Sequence, residues 1–451
     1  MDALAKLIWN PLMCLIYLET GVLFLCFTKA LAWKNSFKVC INIFRNDKSN
    51  NTGKFVSHSK AFLATILATV GVGNLAGVGT AIHLGGPGAL FWMWITALFG
   101  MCFKMAETYF VIKHAPEDIH SLAFATPMAY LERYVKGIWR FVPVLVAGLI
   151  FIQGVVLSNL VQSNSLAHAI HTRFGTPNVI LAVVVTFFVG LAVLGGLKRI
   201  VDVTSAIAPF MIIIFVVTGL IILISDPLRT LKSICQVIYY AFTPCSIAGG
   251  ISGYAVLQAM QFGVSRGVFS HMSGLGTSTF LQGANEEPPA TGAFMAAVVP
   301  FIDTIIICTV SGLVILSTPL WQSETGGYLA LGAFELGLGS VGEYTIISCL
   351  IIFAYTTIVA FCHVSERCFY YLGGKNYLYY RIFFLAVTFA GPFLNLNFVW
   401  SLSDLIIAMI LIFHLLPLLG ITISNRKTMM ADLNDYSQIQ DNPAASGETT
   451  Y

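Results

Sequence analysis

Apolar residues in this chain come in long unbroken runs, with neither the alternation of a half-buried strand nor the one-sided stripe of a surface helix. Eleven runs approach the roughly 20 residues a helix needs to cross a bilayer: 7–27, 58–82, 87–112, 141–167, 177–195, 203–224, 233–262, 292–317, 344–366, 379–397 and 401–422. An outer-membrane barrel would show short alternating segments instead. The run 7–27 is too long for a signal-peptide core and lacks a basic start, so it reads as a retained helix. The run 233–262 is long and interrupted, with room for a break. From Ser424 onward the chain is polar, and the pattern predicts disorder there.

Composition sharpens this reading. Of 451 residues, 57% are hydrophobic and only 10% charged, against about 25% charged in soluble domains. That excludes a soluble enzyme, a disordered chain and a fibrous repeat. A net charge of +3 leaves no large basic face for nucleic acid. The ten cysteines form no CxxC pair and lie almost wholly in apolar runs, as small buried hydrophobes do. No nucleotide-binding motif, metal cluster or nucleophile triad is present, so an enzyme is not expected and any transport must draw on an ion gradient. A channel would need a continuous polar stripe, which is also missing.

Lysine and arginine orient the spans. With the N-terminus outside, 19 of the 24 Lys and Arg fall in inside loops, four outside and Lys104 within a span. Setting the first helix apart leaves ten spans, which divide as five plus five. Halves with an odd number of spans must have opposite topology, the geometry of inverted-repeat transporters. The expected fold is therefore an all-α integral membrane protein: an N-terminal helix and basic loop (1–57), a first five-helix repeat (58–224), a second inverted one (225–422) and a cytoplasmic tail (423–451), with two discontinuous helices.

Glycine marks where those helices break, because it lets the backbone leave the helix. In half one, Gly71, Gly73, Gly77 and Gly79 lie within nine residues, with Asn74 adding a polar amide at depth. Gly77 and Gly79 fit close helix packing better, so the break is expected at Gly71–Asn74. In half two, Pro244, Gly249, Gly250 and Gly253 mark the corresponding position. Freed N–H groups at such a break can hold a carboxylate, and freed carbonyls can hold Na⁺. Asn74, Thr356 and Thr357 offer further oxygens, although a helical threonine ordinarily bonds its own backbone.

At these residues the chain resembles the alanine or glycine:cation symporter family. The matching stretches run in order along nearly the whole chain: Val70–Ile82, Gly85–Trp94, Gly100–Glu107, Gly195–Arg199, Ala241–Pro244, Arg266–Ser270, Ile302–Thr304 and Phe353–Thr357. The resemblance implies a leucine-transporter-like fold with one extra helix in front. It also implies Na⁺-coupled symport of a small neutral amino acid (alanine, glycine or serine) by a monomer in the bacterial inner membrane. By the same resemblance, Thr69 to Gly73 offer amides to the substrate carboxylate, and Gln162, Phe361, Gly249 and Gly250 face the substrate. Val70, Thr356 and Thr357 hold one sodium ion, and Asn74 sits near the carboxylate or at a second ion. A proton-coupled carrier of the same fold is the alternative; the span 203–224 has Thr204 and Ser205 but no Lys to replace sodium.

Two departures stand out. Where the family has Asn-Glu-Ala-Gly-Leu-Gly, this chain has His271-Met-Ser-Gly-Leu-Gly276, which loses the acid of an expected cytoplasmic loop. Where the family often has Trp and Tyr, it has Phe361 and His363. Among other polar residues, Asp303 stands mid-span as either a functional carboxylate or a hydrogen-bonding group after Pro300. Lys104 and Glu107, at i and i+3, are expected to seat their helix as an ion pair, and His168 and His271 to lie in wet loops.

Overall fold

The computed structural model describes residues 8–46, 58–115, 126–243, 252–277, 279–282 and 288–441. Among them every regular element is helical. α1 (Pro11–Phe27) starts on the side chain of Asn10, which accepts from the Met13 amide, 2.9 Å. It turns by 70° into α2 (Leu31–Asn46) through Lys29 and Ala30, both left-handed. Two short helices, α3 (His58–Thr69) and α4 (Ala76–Gly85), flank the first glycine cluster. α5 (Gly88–Lys113) is continuous, and α6 (Pro127–Tyr134) is a short helix after it. α7 (142–174) widens into a π-helix over Gln153–Val161. Next come α8 (Asn178–Val193) and α9 (Gly196–Ser225), with α10 (Pro227–Phe242) bent from the latter by 104°.

Beyond lie α11 (Ser252–His271) and the single turn α12 (Thr279–Gln282). α13 (Pro289–Leu316) is π-helical over Phe301–Cys308, just after Pro300 removes one N–H from the helical ladder. The chain ends with α14 (Gly326–Leu338), α15 (Ser340–Tyr371), α16 (Tyr377–Ala390), α17 (Leu396–Ser424) and α18 (Arg426–Asp441). The eleven predicted runs lie largely on these helices. Among the described residues, five helices are long and apolar enough to cross a membrane on their own, or seven if each bent pair counts as one span.

Small residues bring the central helices together. A Cβ on Gly267 of α11 would lie 2.1 Å from Thr96 Oγ1 of α5, and one on Gly292 of α13 would lie 2.2 Å from Ile112 Cδ1. Gly77 and Gly79 serve packing as expected: a Cβ on Gly79 would meet the Gly326 carbonyl at 2.7 Å. At one end of the bundle Arg173 joins Glu335 of α14 and Glu343 of α15, both at 2.5 Å. At the other, Lys113 pairs with Asp432 of α18 at 2.8 Å.

Three expectations change. The polar tail is helical over Arg426–Asp441, because Met429, Met430 and Leu433 are buried and Asp432 meets both Lys113 and Tyr109. Polar composition concealed that apolar stripe. The break expected in half two, around Pro244, falls between the described residues 243 and 252. Gly249 and Gly250 lie outside the described residues. Among the described residues, the chain leaves the helix after His271, with Met272, Gly274 and Gly276 all at positive φ, and re-enters it at Thr279. The stretch expected as a cytoplasmic loop is thus a buried break beside Gly100 and Glu107 of α5. His271, expected in a wet loop, is fully buried there, its Nδ1 accepting from the Ser273 amide.

Candidate ligand site at the helix breaks

Four helix irregularities converge: the first break, the second break and the π-helical turns of α7 and α13. Each frees backbone groups inside a buried region. At the first break α3 ends at Thr69, whose hydroxyl bonds back to the Ile66 carbonyl at 2.7 Å. A single 3₁₀ turn spans Val72–Asn74 before α4 begins.

Two freed amides are held by side-chain oxygens. Asn74 Oδ1 accepts from the Gly71 amide at 2.9 Å, and Gln162 Oε1 accepts from the Val72 amide at 2.8 Å. Gln162 is the first residue beyond the π-helical turn of α7. No room remains for side chains on its two glycines: a Cβ on Gly71 would lie 2.9 Å from both Gln162 Nε2 and Thr357 Oγ1, and one on Gly73 would lie 2.6 Å from the Phe269 ring.

The freed carbonyl of Val70 meets α15, where Thr357 Oγ1 donates to it at 3.2 Å. Thr356 faces its own helix and bonds the Ile352 carbonyl at 2.9 Å. The threonine pair therefore divides: one reaches the break and the other shows the ordinary helical behaviour. Phe361 is buried one turn beyond Thr357, and Ser365 donates to its carbonyl at 2.6 Å.

Asn74 also joins the first break to the end of α11 and to α13. Its Nδ2 donates to Asp303 Oδ1 at 2.8 Å and to Ser270 Oγ at 3.0 Å. Asp303 Oδ2 accepts from Ser270 at 2.6 Å and from Thr304 at 2.9 Å. All four residues are buried. The two readings of Asp303 thus coincide: it is hydrogen-bonded, and it places a carboxylate among hydroxyls beside the break. A carboxylate with hydroxyl oxygens is the donor set a hard cation takes.

The sequence reading left one group unnoticed. Arg266 forms a two-pronged pair with Asp404, at 3.0 and 2.7 Å, and its guanidinium lies 4.5 Å from the Trp400 ring centroid. Trp400 in turn packs on Phe269, centroids 4.8 Å apart, directly over Gly73. Trp9 Nε1 donates to the Asp404 carbonyl at 2.9 Å. The available signal was an acid four residues after a tryptophan at the start of an apolar run. Lys104 and Glu107 are also buried and both address the second break. Lys104 Nζ donates to the Met272 carbonyl at 3.3 Å, and Glu107 Oε1 accepts from the Gly276 amide at 3.2 Å.

Known proteins resemble this chain in sequence and in fold. A profile of the sodium:alanine symporter family matches residues 1–448. An uncharacterized transporter of Haemophilus influenzae is 36% identical over 406 residues, covering 88% of this chain and 86% of its own. The sodium/alanine symporter AgcS of Methanococcus maripaludis is 33% identical over 435 residues, covering 93% and 94%. Among solved structures, MhsT in complex with L-phenylalanine aligns with a TM-score of 0.62 at 13% identity, over 86% of this chain and 98% of that one. At that identity the likeness speaks for the fold alone.

Proposed function

The chain belongs to the sodium:alanine symporter family, whose members are membrane transporters and not enzymes, and from that premise we propose that it carries a small neutral amino acid into the cell together with Na⁺. The substrate class is alanine, glycine or serine. The observation that carries this reading is the pair of amides at Gly71 and Val72, held by the neutral oxygens of Asn74 and Gln162. A substrate carboxylate is a stronger acceptor and would replace them at the freed amides. Gly249 and Gly250, which lie outside the described residues, stay in the proposed substrate set, and Phe361 stays in it as the residue that limits side-chain size.

Two places suit Na⁺. One is the Val70 carbonyl with Thr357; Thr356 leaves the first set because its hydroxyl is turned to its own helix. The other is Asp303 with Ser270 and Thr304, where Asn74 presents its Nδ2 and so orients the carboxylate rather than adding an oxygen. Both combine oxygen donors with backbone already released from a helix, as hard cations require. The relative named for sodium and alanine supports both the ion and the substrate class.

The layout we propose keeps the N-terminal helix outside the two five-helix halves. The first half, 58–224, runs from α3 to α9; the second, 225–422, runs from α10 into α17 and includes the unwound stretch 272–277. The bias of Lys and Arg supports an external N-terminus and a cytoplasmic Lys113 end. Exposed apolar faces such as Val183, Phe187 and Phe188 of α8 suit lipid, and a monomer in the bacterial inner membrane needs no further partner. Uptake of labelled alanine by proteoliposomes, with and without an inward Na⁺ gradient, tests the proposal. Accumulation only with Na⁺ is expected. Accumulation driven by a proton gradient without Na⁺ would replace it with the proton-coupled alternative.

A further inference from the structure

The second break loses its helical hydrogen bonds just where α11 ends. Met272 N still bonds Val268 O, at 2.9 Å. Beyond it, the groups a helix would have satisfied are taken by side chains from other helices. Lys104 donates to the Met272 carbonyl. His414 of α17 shares a hydrogen bond of 2.8 Å with the Gly274 carbonyl through Nδ1; a carbonyl only accepts, so Nδ1 carries the proton. Its Nε2 then accepts from Tyr130 Oη of α6, at 2.5 Å. Glu107 accepts from the Gly276 amide. These four side chains are fully buried, and none can turn to water instead.

The contacts address the break in sequence: a carbonyl at 272, a carbonyl at 274 and an amide at 276. Gly276 sits at φ +73, and a Cβ there would lie 2.8 Å from both His414 Nε2 and Pro127 Cγ, so the backbone itself is pressed against its holders. A simple ion pair seating α5 would not require two charged residues and a histidine from another helix to be aimed at backbone groups of one segment. Ser270, two residues before Met272, donates to Asp303, so the shape of this break also sets where that hydroxyl stands.

We propose that Lys104, Glu107 and His414 are positioning residues that hold the unwound backbone 272–277 and, through it, the placement of Ser270 beside Asp303. Glu107 stands in for a missing helical acceptor; Lys104 and His414 stand in for missing donors. Tyr130 fixes the tautomer of His414 and ties the break to α6. The consequence for ligand binding rests on the transport reading above; the consequence for the backbone does not.

The test uses the purified full-length protein and two pairs of variants. His414→Leu and Glu107→Leu remove a hydrogen-bonding group; His414→Gln and Glu107→Gln keep one. Hydrogen exchange in the peptide covering 270–282 reads the backbone directly. Both leucine variants are expected to speed exchange there by about tenfold or more, with the glutamine variants restoring most of the protection. Equilibrium binding of labelled alanine in Na⁺ should weaken about tenfold in the leucine variants and recover in the glutamine ones. Wild-type exchange in the folded leucine variants would overturn the proposal. Should Glu107→Leu not fold, the His414 pair decides, since that substitution leaves no buried charge without a partner. If exchange responds as expected while the wild type binds no alanine, the clamp stands and the substrate assignment falls.

Discussion

The two helix breaks solve one problem with different chemistry. The first, at 70–75, is held by neutral groups: the amides of Asn74 and Gln162 and the hydroxyl of Thr357. The second, at 272–277, is held by Lys104, Glu107 and His414. A backbone that must receive a carboxylate and a cation is best lined with weak, exchangeable partners, because a resident charge would compete with the ligand. A backbone that must keep its shape while ligands come and go gains from charge-assisted bonds, which are roughly twice as strong as neutral ones. Asp303 lies between the two regions, and it is the charge closest to the neutral break.

The contrast predicts unequal effects. Gly73→Leu should be the most damaging change at the neutral break, since its first side-chain atom would already overlap the Phe269 ring. Uptake should fall more than a hundredfold with normal membrane insertion, and Gly71→Leu should act likewise. Wild-type alanine binding by a folded Gly73→Leu protein would remove the break from the ligand site.

Asp303→Asn comes next. It keeps a hydrogen-bonding partner for Asn74 but deletes the negative charge. The Na⁺ concentration for half-maximal uptake should rise about tenfold or more. An unchanged Na⁺ dependence would make Asp303 a purely structural group.

Thr357→Ala should raise the same Na⁺ requirement by a smaller factor, roughly three- to tenfold, by removing one oxygen beside the Val70 carbonyl. Thr356→Ala should change it less than about twofold, because that hydroxyl is occupied by Ile352. Equal effects of the two substitutions would contradict the division between them. The smallest change is expected of Phe361→Trp, which adds bulk beyond Thr357. Competition of labelled alanine uptake by serine, threonine, valine and leucine should then fall off more steeply with side-chain size. An identical profile in the two proteins would mean that Phe361 does not limit the pocket.

Much of this was legible in the chain. The apolar runs lie on the helices, and the first break lies at Gly71–Asn74, because a Gly-x-Gly-Asn stretch inside an apolar run is a local backbone signal with few other uses. Asn74 lies in that break, and Gln162, placed by resemblance alone as facing the substrate, accepts from the Val72 amide there. The break expected at Pro244, Gly249 and Gly250 lies outside the described residues, and the unwound stretch at 272–277 was not foreseen. Pro244, Gly249 and Gly250 carry the same helix-breaking signal as Gly274 and Gly276, and His271-Met-Ser reads as a wet loop when its neighbours are unknown. The helix Arg426–Asp441 was missed because three buried apolar residues are too few to outweigh a polar composition.

What can be read from residues in order is whatever depends on nearest neighbours along the chain: hydropathy of a run, freedom of a glycine, charge of a loop. Those properties specify an all-helical membrane transporter with a broken helix near its start. The pairing of partners depends on packing. Asn74 meets Asp303 from 229 positions away, Arg266 meets Asp404 from 138, and Tyr130 meets His414 from 284. A buried polar group must find a partner, since leaving it unmatched costs about 1–3 kcal/mol. Which partner it finds is settled only when helices distant in sequence have packed together, and that packing aims Lys104 and Glu107, neighbours on one helix, at another helix's backbone.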